Sequence, residues 1–74
     1  MNLAKVLLEL RQAGFKPADL KRYARLFRQG AETLPERKAL LETQKRQLWQ
    51  ELEERQQSID YLERQIELID QELQ

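Results

Sequence analysis

The chain has 74 residues, 13 basic against 13 acidic, a formal net charge of zero, and neither cysteine nor histidine. That composition excludes disulfide staples, thiolate metal sites and imidazole acid–base catalysis, and a chain this short buries too little surface to be securely stable without a partner. Its charge is divided, with seven basic side chains against three acidic in residues 1–33 and six against ten in the remainder, so an anionic partner is directed to the front third.

Two glycines and two prolines punctuate the chain and predict three helices. The first runs from about Leu3 to Ala13, with Leu3, Leu7 and Leu10 on one face, and Gly14 supplies the left-handed residue that commonly follows a helix. Its apolar cluster of Val6, Leu7 and Leu8 is interrupted by Lys5, Glu9 and Arg11, which argues against a signal peptide or a membrane span. A soluble, cytoplasmic protein with no membrane partner is expected. Phe15 begins the turn, and Pro17 and Asp19 suit the first turn of a second helix, although Lys16 is a poor cap. Leu20, Tyr23, Ala24 and Phe27 form the stripe that meets the first helix, making a hairpin that Gly30 ends.

Thr33 and Glu36 have the spacing of a capping box, and Pro35 lies within the first turn of a third helix. From Pro35 onward no glycine or further proline interrupts it, so a helix from about Leu34 to Leu73 is predicted, roughly 60 Å long. Along it Leu48, Leu52, Ile59, Leu62, Ile66, Ile69 and Leu73 recur four and three apart, broken only at Arg55, and Leu41 extends the set towards the N-terminus. This spacing marks a helix that buries a narrow seam against another helix. The expected fold is all-α: a two-helix hairpin (1–33) followed by a dimerisation helix (34–74) in a coiled-coil homodimer. The flanks hold Trp49, Gln56, Glu63 and Asp70 on one side and Glu51, Ser58, Gln65 and Glu72 on the other. None is basic, so flank-to-flank charges do not choose between parallel and antiparallel pairing.

Leu40, Trp49, Tyr61 and Leu68 lie off the seam, and Tyr61 and Leu68, seven apart, suggest a second stripe that receives the hairpin of the other subunit. Carboxylates such as Glu53, Glu54, Glu63 and Glu67 read as a solvated face, so no enzymatic activity, cofactor, metal or small-molecule ligand is expected. On the second helix Lys21, Arg25 and Arg28 share a face, with Arg22 beside them. They solubilise the helix and complement its dipole, and they are also candidates for contact with DNA phosphates, which adds affinity without sequence readout.

The stretch Leu10-Arg11-Gln12-Ala13-Gly14-Phe15-Lys16-Pro17-Ala18-Asp19-Leu20, then Gly30, then Glu36-Arg37-Lys38-Ala39-Leu40-Leu41, resembles the C-terminal part of MerR-family transcription regulators. In that family a winged helix-turn-helix precedes a helical pair, and a long helix opening with an Arg-x-x-Leu-Leu element follows, here matched by Arg37, Leu40 and Leu41. The resemblance implies antiparallel pairing of the long helix, a dimer that twists operator DNA, and DNA binding through a preceding head that these 74 residues do not contain. Lys16 and Pro17 replace a common serine and leucine, Gln44 stands where a histidine is common, and the cysteines of metal-sensing members are missing. These 74 residues do not include a separate effector-binding domain after the long helix. A free-standing coiled-coil module that binds another protein's helix is the alternative function.

Overall fold

A computed structural model describes residues 2–74; the Met1 end of the expected 1–33 unit lies outside them. The chain forms α1 (Leu3–Gln12), α2 (Pro17–Gln29), a 3-10 turn (Ala31–Thr33) and α3 (Leu34–Leu73), and no strand occurs among the described residues. Asn2 caps α1, its side chain accepting the Lys5 N–H at 3.3 Å. At the other end Gly14 takes φ +90°, the Phe15 N–H donates to the Leu10 carbonyl and the Gly14 N–H to the Arg11 carbonyl, both at 3.0 Å. These two bonds satisfy carbonyls that the helix leaves unpaired. They also turn the chain so that Phe15 closes the hairpin as a buried side chain rather than merely starting a loop.

α1 packs on α2, and α2 packs on the start of α3. The core is small: Phe15, Tyr23, Ala24, Leu26 and Thr33 are each 5–7% exposed. Of the stripe expected on α2, Tyr23 and Ala24 are buried while Leu20 and Phe27 are half-buried. Leu26, outside that stripe, is the most buried side chain of the five because α2 is covered on two sides, by α1 and by α3.

The junction between α2 and α3 departs from the expected capping box. Thr33 has φ −92° and ψ 3°, and its side chain makes no cap bond. With the 3-10 turn feeding directly into α3, the backbone at Thr33 is nearly helical rather than extended, the conformation in which a hydroxyl reaches forward. Instead the Thr33 hydroxyl proton lies between the Leu26 carbonyl at 2.6 Å and the Gly30 carbonyl at 2.8 Å, and its oxygen accepts from Arg37 Nε at 3.0 Å. Glu36, the other half of the expected box, faces Arg22 at 3.6 Å. Arg37 also donates to the Gly30 carbonyl at 3.3 Å and stands 5.2 Å over the Phe27 ring. One guanidinium therefore neutralises the carbonyl end of α2 and stacks on its last aromatic side chain.

Gly30 sits at φ +100°, ψ −165°, a region essentially reserved for glycine. A Cβ there meets nothing within 4 Å, so the requirement comes from the backbone alone. The molecule measures 65 × 20 × 19 Å with a radius of gyration of 19.6 Å, against about 11 Å for a compact domain of this length.

Replacing Thr33 with Val keeps the shape but leaves buried carbonyls and the Arg37 N–H without the hydroxyl. A stability loss of about 1–3 kcal/mol is expected, read as a lower thermal midpoint by circular dichroism at fixed chain concentration. An unchanged midpoint would show that the hydroxyl contributes nothing to the junction.

Candidate self-association surface and basic face

α3 is helical over 40 residues because nothing interrupts its hydrogen-bond ladder after Pro35. Only its first part has an intrachain neighbour. Arg37, Leu40 and Gln44 are partly covered by the hairpin, and Gln44 Nε2 donates to the Ala13 carbonyl at 2.9 Å, tying α3 to the end of α1. The same amide nitrogen lies 2.9 Å from where a Cβ on Gly14 would stand, so a side chain at that position must displace the clamp. Beyond residue 44 every side chain of α3 is exposed except Gln65, which is half-buried.

All eight seam residues, Leu41, Leu48, Leu52, Ile59, Leu62, Ile66, Ile69 and Leu73, are exposed, from 39% at Leu41 to 79% at Leu73. At 3.6 residues per turn they share an arc of about 100°. The same spacing places Lys45 in the seam between Leu41 and Leu48, beside Arg55 as its second basic member. Arg37 and Gln44, which the hairpin covers, fall on this same face, so the hairpin sits over its N-terminal end and leaves it open beyond residue 44. Trp49, Tyr61 and Leu68 are exposed as well, and Leu40, half-buried beside the hairpin, occupies the same heptad site as Tyr61 and Leu68 further along.

The accessible area is 6521 Å², whereas a compact monomer of 8.9 kDa exposes about 4800 Å². A stable pair of chains covers about 800 Å² on each. The surplus of roughly 1700 Å² is ample for that, and the apolar seam is where covering it gains most, at roughly 1.5–3 kcal/mol per fully buried Leu or Ile.

On α2, Lys21, Arg22, Arg25 and Arg28 are all exposed. Arg22 is drawn towards α3 by Glu36, and no ion pair among the described residues involves the other three. The Arg22–Glu36 pair has both side chains at least half exposed, so it contributes little to stability. Among the described residues, no group of three or more His, Cys, Asp or Glu converges as a metal site would, and no helix is long and apolar enough to cross a membrane. Comparison with family models, with curated proteins and with solved structures finds no match for this chain.

A helix with no tertiary cover gains little from propensity alone. At a concentration where sedimentation finds single chains, the chain is expected to exchange its amide protons from about Leu52 onward near the open-chain rate, while those of Tyr23 to Phe27 stay protected. Hydrogen exchange read by NMR over a dilution series checks this, and equal protection of both regions in the monomer contradicts it.

Proposed function

We propose that the chain is the dimerisation and DNA-supporting region of a MerR-like transcription regulator, pairing antiparallel with a second copy through the α3 seam. The observation that carries this reading is the seam itself: eight apolar residues in one narrow arc, all exposed on the single chain. The family is suggested by the residues from Leu10 to Leu20 and from Glu36 to Leu41. In the element matched by Arg37, Leu40 and Leu41, Arg37 holds the α2–α3 junction, Leu40 is half-buried beside the hairpin, and Leu41 opens the seam.

The mechanism is geometric. Two DNA-reading heads, one attached to each subunit's hairpin, are held at a separation set by the paired rods, and that separation fixes the spacing of the half-sites they read. Tyr61 and Leu68 continue the face on which each chain's own hairpin sits, and so receive the hairpin of the other subunit near the far end of the rod. Lys21, Arg25 and Arg28 contribute phosphate attraction without sequence readout.

Sedimentation at micromolar concentration is expected to show a dimer, and spin labels on Gln74→Cys to lie more than about 40 Å apart. A folded monomer sinks the reading, close labels would require parallel pairing, and a chain that binds only unrelated helices would belong to the adaptor class. The 74-residue chain should bind duplex DNA weakly, losing roughly tenfold or more in affinity between 50 and 200 mM salt. Lys21→Gln, Arg25→Gln and Arg28→Gln together should remove that binding in a fluorescence anisotropy titration. Retention of binding by the triple variant would place the phosphate contacts elsewhere.

A further inference from the structure

Resting on the self-pairing proposed above, we infer that the opposite charges of the chain's two ends select antiparallel over parallel pairing. Each subunit's basic hairpin takes the acidic distal end of the partner's rod. Charge falls into three blocks along the sequence. Residues 1–33 have a net charge of plus four, and residues 34–59 hold five basic and five acidic side chains. Residues 60–74 hold Asp60, Glu63, Glu67, Asp70 and Glu72 against Arg64 alone, a net of minus four. All six distal charges are exposed, and no ion pair among the described residues involves any of them.

Within one chain this segregation brings no gain. The last turn of α3 has no basic residue and contains Asp70 and Glu72, the sign of charge that the carbonyl end of a helix disfavours. The chain's own hairpin is too far away to offset it. From Gln44, where the hairpin's cover ends, to Glu67 is about 35 Å along the helix, several times the Debye length of about 8 Å at physiological salt. A second chain is what brings the two ends together.

The seam accommodates this arrangement. Its intervals from Leu41 to Leu73, counted through Lys45 and Arg55, alternate four and three, beginning and ending with four, so they read the same from either end. Antiparallel pairing with full overlap therefore sets the partner's residues 60–73 alongside positions 41–54. The turn of the hairpin stands at that level: Gln44 bonds to the Ala13 carbonyl, and Lys16 lines a groove with Gln44, Gln47 and Glu51. Arg11 and Lys16, exposed on either side of the turn, stand at the end of the hairpin that the incoming rod reaches. The two-fold axis repeats the contact, so both acidic ends are met at once.

Parallel, in-step pairing does the reverse. It lays the two acidic ends against each other along the seam and gathers both basic hairpins at the opposite extremity. Burial of the seam gives either pair its affinity, and the end charges penalise the wrong one.

The first test is sedimentation equilibrium of the unmodified chain in 50 and 300 mM sodium chloride. Screening of an attraction should raise the dissociation constant about three- to tenfold, and a constant that stays flat or falls overturns charge selection. The second test is a charge swap. Arg11→Glu with Lys16→Glu, and Asp70→Lys with Glu72→Lys, are each expected to weaken the dimer roughly tenfold, and the quadruple variant to recover to within about threefold of the parent. Gln44, which holds the turn between positions 11 and 16, is about 40 Å from positions 70 and 72 along one helix, so recovery has to come through the second subunit. A quadruple variant as weak as the two losses multiplied overturns the inference while leaving self-pairing intact. The salt series needs no substitution, so it decides even where a variant fails to fold. A parent chain that is monomeric at both salt concentrations overturns the proposed function on which the inference rests.

Discussion

A helix of 40 residues is far longer than anything this chain can lay against it, and the rest of the molecule follows from that mismatch. The hairpin covers α3 only as far as Gln44, so nearly all of the rod's apolar stripe faces water on a single chain. Burial is the dominant favourable term in folding, and each ordered residue costs on the order of 1–2 kcal/mol of backbone entropy. Rod and hairpin are thus unequal: the hairpin is organised by tertiary contacts within the chain, whereas most of the rod has none.

The joint between them is built from polar contacts rather than from a large core. Gly30 makes the turn, Thr33 ties the 3-10 turn to the carbonyl end of α2, and Arg37 bonds to both while stacking on Phe27. Thirty-one residues separate Gln44 from Ala13, yet their hydrogen bond joins the third helix to the end of the first. These contacts fix the direction in which α3 leaves the hairpin. In the proposed dimer they therefore also fix where each DNA-reading head would stand.

Elements governed by periodicity and by glycine were legible in the sequence. The three helices, the turns at Gly14 and Gly30 and the seam residues all follow from spacing, because a 3.6-residue repeat maps directly onto one face of a helix. Less visible was the junction. Thr33 and Glu36 have the spacing of a capping box, but that motif needs an extended backbone at the cap, and the 3-10 turn supplies a helical one. Leu26 was hidden for a different reason: a single-face stripe assumes one neighbour, whereas α2 has two. At the candidate surface, the apolar spacing could be read residue by residue, while Lys45 draws notice only when that spacing is followed through a charged position. Arg22 looked like a free member of the basic cluster until folding brought Glu36 beside it.

The anchoring of α3 near one end makes it a lever. Arg37 and Gln44 hold it within its first dozen residues, and about 45 Å of uninterrupted helix extends beyond them. Rotating the anchored end by about 5° would carry the tip through about 4 Å, roughly three-quarters of the spacing between neighbouring turns. A hydrogen bond lost at the hairpin is thereby magnified into a displacement at the opposite extremity, far from the residue that caused it.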